Sequence, residues 1–239
     1  MKCIPLLLLL AIFSCSSGSK PRNLKNAKPG KLEFFETYTF SEIAPSWDAA
    51  CKWVHEQDTV AMHENIPLTE NPRGLTALVR PHTNFMIGYV KAEDLLEVET
   101  LLALPEVKAK FPKNLRFMFS YREEDIQNYH KMYALYAIKV PESGKAIIDG
   151  RHIENAEAAI ADYNGMPVIR ITMNDQGAHD WEVMTRRNIG RAIAISVNDH
   201  VISCPVVNSV ITGGETEISG NFTKAQAEEL AAGIYLGKK

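Results

Sequence analysis

MPVIRITMNDQGAHDWEVMTRRNIGRAIAISVNDHVISCPVVNSVITGGETEISGNFTKAQAEELAAGIYL, residues 166–236, is the stretch that decides the fold. It reads as strand, capped helix, strand, tight turn, strand, Gly-Gly turn and capped helix. Pro167 to Thr172 is mostly β-branched and apolar, as a buried strand requires. Asn174 or Asp175 then supplies a side-chain oxygen for the orphan N–H groups of a helix start. Ala178, Trp181, Thr185 and Ile189 recur on one helical face, which makes Trp181 the expected core anchor. Asn188-Ile189-Gly190 ends that helix, because Gly190 can take the left-handed conformation that closes a C-terminus. Ala192 to Val197 is the next strand, and Asn198-Asp199 sits where a two-residue hairpin turn belongs. Gly213-Gly214 marks another turn. Thr223 followed by Gln226 is a capping box that opens the last helix, with Leu230 and Ile234 facing inward.

Upstream, Leu32 to Phe40 reads as a strand, and Ser41-Glu42 opens a helix through Trp47, Cys51 and Val54. His55 to Asn71 is polar and interrupted by Pro67, so it reads as a loop. A short helix is expected over Arg73 to Val79 and a strand over Phe85 to Val90. A further helix follows over Ala92 to Leu102, ended by Pro105. Leu115 to Tyr121 and Lys131 to Val140 alternate as the two arms of a hairpin. Pro141 to Gly150 interrupts the pattern and reads as a boundary between two units.

The order of these blocks resembles the first periplasmic domain of the SecD/SecDF protein-export family. The resemblance rests on Thr172-Met173-Asn174, Thr185 to Gly190, Ala192 to Ile195 and Val201 to Ala231. It continues more loosely through Leu32 to Tyr38, Gly88-Tyr89, Pro105 to Phe117 and Leu135 to Val140. It implies an α+β fold of two small mixed subdomains. One is a ferredoxin-like base-type region over residues 32–140; the other is a SecD-type head over 141–239, with an antiparallel sheet packed by helices. It also implies contact with unfolded or emerging polypeptide and with the export machinery, and an exposed apolar groove on the head.

The N-terminus sets the compartment. Lys2 and the apolar run Ile4 to Phe13 are too short to span a bilayer and read as a signal peptide, residues 1–14. The run ends in Ile12-Phe13-Ser14-Cys15, which looks like a bacterial lipobox, with Cys15 as the lipid-attachment site. Residues 15–31 then form a polar tether. The expectation is a lipoprotein held on the inner or outer membrane and facing the periplasm. No other apolar run is long enough to span, and the sequence closes on Gly237-Lys238-Lys239. A SecD-like unit without the membrane motor is therefore expected.

A net charge of -3 leaves no basic footprint for nucleic acid. Cys51 and Cys204 remain after Cys3 and Cys15 are assigned; whether they form a disulfide or stay as two partly buried thiols is open, the thiols being preferred. Neither has a second Cys or a His at ligand spacing, so no metal and no cofactor is expected. His55, His63, His82, His130, His152, His179 and His200 are scattered. His152-Ile153-Glu154 has the H-x-E spacing of a zinc deaminase, but Cys204 stands alone where P-C-x-x-C is needed. His179-Asp180 reads as a solvated helix pair. G-x-S-x-G, P-loop and Rossmann signatures are absent from the sequence. Three functions follow in order of preference: a non-enzymatic polypeptide-holding accessory of export, an interaction lipoprotein with another partner, and a hydrolase with a dispersed site.

Overall fold

The computed structural model describes residues 27–63, 74–82, 85–124, 126 and 131–238. The expected signal peptide and Cys15 lie outside them, as does most of the expected tether. The first strand, β1 (Leu32–Thr37), is covered on both faces, which explains why LEFFET carries apolar residues at consecutive positions. α1 (Phe40–His63) starts where the Thr39 N–H donates to Glu42 Oε2 at 2.7 Å. The Glu42 N–H donates in return to Thr39 Oγ1 at 3.3 Å, closing a reciprocal cap. Ile43, Trp47, Ala50 and Val54 are buried along its inner stripe. The helix runs on to His63, which overturns the loop expected from His55 over residues 55–63; the rest of that expected loop, to Asn71, lies outside the described residues. With one stripe anchored, His55, Glu56 and Gln57 continue the helix with exposed side chains.

α2 (Leu75–Leu78) and the hairpin β2 (Val79–Pro81) and β3 (Gly88–Lys91) come next. A 3-10 turn over Ala92–Asp94 leads into α3 (Leu95–Ala103). Pro105 sits in the first turn of α4 (Pro105–Lys108), where its missing N–H costs nothing. The expected hairpin forms as β4 (Leu115–Phe119) and β5 (Met132–Lys139).

Residues 166–236 fold as their caps and turns require. β6 (Ile148–Asp149) and a 3-10 turn lead to β7 (Ile153–Ile160), β8 (Pro167–Met173) and α5 (Asp175–Arg187). β9 (Ile193–Val197), β10 (His200–Ser203), β11 (Glu215–Ile218) and α6 (Lys224–Gly237) complete the chain. Asn174 Oδ1 caps α5 through the Gly177 N–H at 2.9 Å. Thr223 and Gln226 cap α6 reciprocally. Asn198 and Asp199 take φ of 50° and 63°, as a type I′ hairpin turn demands. Trp181 is 3% exposed and meets Phe34 edge-on at 5.2 Å. Ile189, expected on the same buried face, is 54% exposed. The helix has ended by then: Asn188 Nδ2 donates back to the Met184 carbonyl at 2.8 Å, and Gly177 and Met184 complete the stripe instead.

Two antiparallel sheets result, packed by helices in the α+β class. The larger runs β10-β9-β1-β5-β3-β2, with β4 on the other edge of β5 and β6 on β1. Its ends approach each other: the Tyr121 N–H donates to the Val201 carbonyl at 2.8 Å, and Ser120 bridges Val201 in parallel. The sheet thus curls around an inner core of Phe35, Met118, Tyr136, Ile138, Ala194 and Val201. Strand alternation sends the intervening residues outward. On β4 and β5 these are Phe119, Leu135 and Ala137, covered by α1–α4. On β1, β9 and β10 they are Leu32, Phe34, Ile195 and Ile202, covered by α5, α6 and the smaller sheet β11-β8-β7. Strands from both sides of Pro141–Gly150 therefore share one sheet, through the pairing of β1 with β9 over Leu32–Glu36.

Candidate functional site

The connection between α4 and β4 builds one wall of a concave surface. Phe111-Pro112 stops the helical turn and throws the chain into β4, whose ladder pairs Leu115 with Lys139 through Phe119 with Leu135. The Ser120 N–H donates to the Ala134 carbonyl and the Val140 N–H to the Asn114 carbonyl, both at 2.8 Å. Antiparallel ladders alternate, so even-numbered positions of β4 bond to β5 and odd-numbered ones turn outward. Phe117 therefore directs both its N–H and its C=O away from β5.

Over that edge lies a groove of about 810 Å³ between α3–α4 and the β9–β10 turn. Leu102, Phe111, Leu115, Phe117 and Phe119 supply its apolar lining. Phe111 and Phe117 stand edge-to-face at 5.0 Å, and both abut Trp47, at 6.3 and 6.1 Å. Such contacts hold the aromatic wall in place before any guest arrives. Lys108 and Lys113 line the α4 side, and Glu99 lies on the same wall. Across from them Arg116 pairs with Asp199 at 3.3 Å and lies over the Phe35 ring at 5.2 Å. This groove does not lie on the head: residues 141–239 contribute only Asp199 and His200 to it. Its apolar residues were visible in NLRFMF, but which edge of β4 stays open depends on strand order, which no local pattern encodes.

A second, polar cavity of about 170 Å³ lies beside β10. Arg122 closes it by donating to the carbonyls of Gly220 and Asn221. Cys204 and Tyr136 line it; burial pushes the Cys204 thiol up to about 12 and the Tyr136 hydroxyl well above its ordinary value. A thiol held neutral is a poor nucleophile. Cys51 is raised to about 11, by burial and then by Asp48. Both cysteines are free thiols. Cys51 packs against the helical core and Cys204 against the inner core of the curled sheet, so they belong to different layers.

His152 belongs to a capping cluster. The Asp149 N–H lies 3.1 Å from His152 Nδ1, and His152 Nε2 lies 3.6 Å from Asp180 Oδ2. Asp180 also accepts from Gln176 at 2.9 Å, so its partners are these and not the adjacent His179. Among the described residues this cluster has no hydroxyl or thiol partner, and no group of three His, Cys, Asp or Glu is placed to hold a metal ion. Among the same residues, no helix is long and apolar enough to cross a membrane.

Residues 129–238 match the family described as SecDF, P1 head subdomain. This segment is similar to the head subdomain of SecD-type proteins. The likeness to SecD reaches beyond it: the protein translocase subunit SecD of Rhodothermus marinus is 29% identical over 224 residues, which is 91% of this chain and 34% of that protein. The SecD subunits of Sebaldella termitidis and Dictyoglomus turgidum are 40% and 38% identical, over 37% and 40% of this chain and 21% and 24% of theirs. The chain thus spans about a third or less of the SecD proteins it matches. A solved structure of SecDF, described as a membrane component that enhances protein export, aligns at a TM-score of 0.42 and 20% identity, over 89% of this chain and 64% of that one.

Proposed function

We propose that this chain is a lipoprotein of the bacterial cell envelope, anchored through Cys15 and facing the periplasm. It holds unfolded or emerging polypeptide near the export machinery and performs no chemistry on it. One observation carries this reading: a chain with a SecD-type head presents an aromatic, apolar groove of about 810 Å³ along an open strand edge. Concave apolar surface of that size binds apolar side chains with little demand for sequence, which is what a holder of many different exported chains needs. A photo-cross-linker placed at Ala109, beside the groove, tests it in the organism's own cells. Nascent secreted chains and export components are the expected adducts, and their absence removes the reading.

An interaction lipoprotein with a folded partner is the second reading. It is favoured by the β7–β8 turn, where Ile160, Tyr163 and Met166 are 52%, 72% and 43% exposed. Three large apolar side chains at one hairpin end suit a small protein contact. That reading expects a tight one-to-one complex lost in Tyr163→Ser, with no affinity for unfolded chains.

A further inference from the structure

We infer that the groove takes its guest as an added β-strand. The guest is an extended peptide segment, apolar at alternate positions and carrying an acidic side chain, laid along the free edge of β4 with its carboxylate at Lys108 and Lys113. The inference rests on the polypeptide-holding reading and specifies how that site holds its guest.

The backbone supplies the first argument. The outward-facing positions of β4 continue into Tyr121, whose N–H is already used in strand pairing, with the Val201 carbonyl at 2.8 Å. The same line of groups therefore has the geometry to accept a neighbour. β10 covers only its end, because the turn at Asn198-Asp199 carries the chain back to β9. Nearer the start of β4, the Phe117 N–H and C=O face the groove, where backbone polar groups need partners. An extended peptide brings both a donor and an acceptor at the matching spacing, which an apolar side chain or a packed helix does not.

Side chains and charge narrow the guest further. An added strand sends alternate residues to opposite faces. One set meets Leu102, Phe111 and Phe117 under the α3–α4 wall, so apolar residues are wanted at every second position. Three basic residues line the groove, Lys108, Lys113 and Arg116, against two acidic ones, Glu99 and Asp199. Arg116 and Asp199 are paired with each other, which leaves two lysines facing one glutamate. An acidic guest residue is favoured there, and a basic one disfavoured. Lysine and proline at the start of an edge strand also serve to repel strand pairing. Lys113 and Pro112 acting only in that way would leave the groove without affinity for extended peptides of either charge.

The test uses the intact lipoprotein in detergent micelles and a labelled peptide of about seven residues, a length suited to one strand, with alternating Val and Phe and a single Asp. Two backbone-methylated versions are compared, each with every second amide N-methylated. Methylation on the edge facing β4 is expected to weaken binding about tenfold or more, and on the opposite edge about twofold at most. Replacing the peptide Asp by Lys weakens binding to the native chain, and the double variant Lys108→Glu, Lys113→Glu reverses the preference. Ala109→Trp, at an exposed groove position, abolishes binding.

Equal affinity of both methylated peptides overturns strand addition. If Ala109→Trp still blocks a reduced, unfolded protein, the polypeptide-holding reading survives that result. If neither peptide nor unfolded protein binds, both readings fall. Concentration-dependent self-association removed by Ala109→Trp would make a second copy the occupant and overturn the inference as well.

Discussion

Glu42 ties three parts of the chain together. Its carboxylate accepts from the Thr39 N–H at 2.7 Å, from Arg191 at 2.7 Å and from Lys139 at 3.2 Å. Burial alone would raise its pKa, but these donors outweigh burial and hold the carboxyl at about 2. A carboxyl depressed in the folded state stabilises it above the unfolded value and loses that contribution as pH falls through the folded one. Glu42→Gln should therefore be less stable than the native chain at pH 7. The gap should narrow below about pH 4.5 and close near pH 2. Solvent screens a side chain that is 35% exposed, so the neutral-pH loss is at most about 1 kcal/mol. Urea melts of both proteins across that pH range check the sign. The thiols give a second prediction at this scale. With Cys51 raised to about 11 and Cys204 to about 12, both should react slowly with a thiol reagent at pH 8 while the chain is folded and fast once it is unfolded. Rapid labelling of Cys204 in the folded chain would show that the cavity it lines admits the reagent.

At the scale of elements, caps and turns were legible because each is local: Asn174, Thr223 with Gln226, Asn198-Asp199 and Gly213-Gly214 all sit where their side chains or φ values require. β7 was not legible. Its sequence, IENAEAAI, is rich in residues that prefer helices, yet it pairs with β8 along its whole length. Ala156 is fully buried against the core that contains Ala227 and Ala231 of α6. Small side chains there let the helix lie close to the strand, and that tertiary demand overrides propensity. Close approach also reverses an ordinary expectation at Gly177. In a helix, Gly→Ala usually gains about 1 kcal/mol. At Gly177 a Cβ would stand 2.7 Å from the His152 carbonyl oxygen and 2.8 Å from His152 Cβ. α5 would have to shift away from the 3-10 turn before β7, at a cost of about 1–3 kcal/mol. Gly177→Ala should thus lower stability by about 1 kcal/mol, measured by denaturant melts, even though α5 itself becomes a better helix. A rise in stability would mean that the turn at His152 yields easily.

For the whole molecule, the sequence separated two units at Pro141–Gly150 and could not show that they share a sheet. Pairing between residues some 160 positions apart, such as Leu32 with Val197, leaves no periodicity in either segment. LEFFET is buried on both faces, and the second face belongs to the later unit. β1 sends Leu32 and Phe34 into the core of α5, α6 and the smaller sheet, and Phe35 into the inner core of the curled sheet. Residues 141–239 alone would leave β9 with one open edge and a core lacking both Leu32 and Phe34. Trp181 would lose the ring it meets at 5.2 Å. The segment before β1 adds a further tie, since the Gly30 N–H donates to the Gly233 carbonyl of α6 at 2.8 Å. A fragment of residues 141–239 should therefore fail to give the near-ultraviolet circular dichroism of a fixed Trp181. A synthetic peptide covering residues 27–38 should restore it by supplying β1 in trans, because the missing strand carries both the ladder and the apolar residues of the core. The same peptide with Phe34→Asp should fail, as it keeps the strand but places a charge beside Trp181. If the fragment alone folds with a rigid Trp181, the head is an independent domain and β1 merely leans on it.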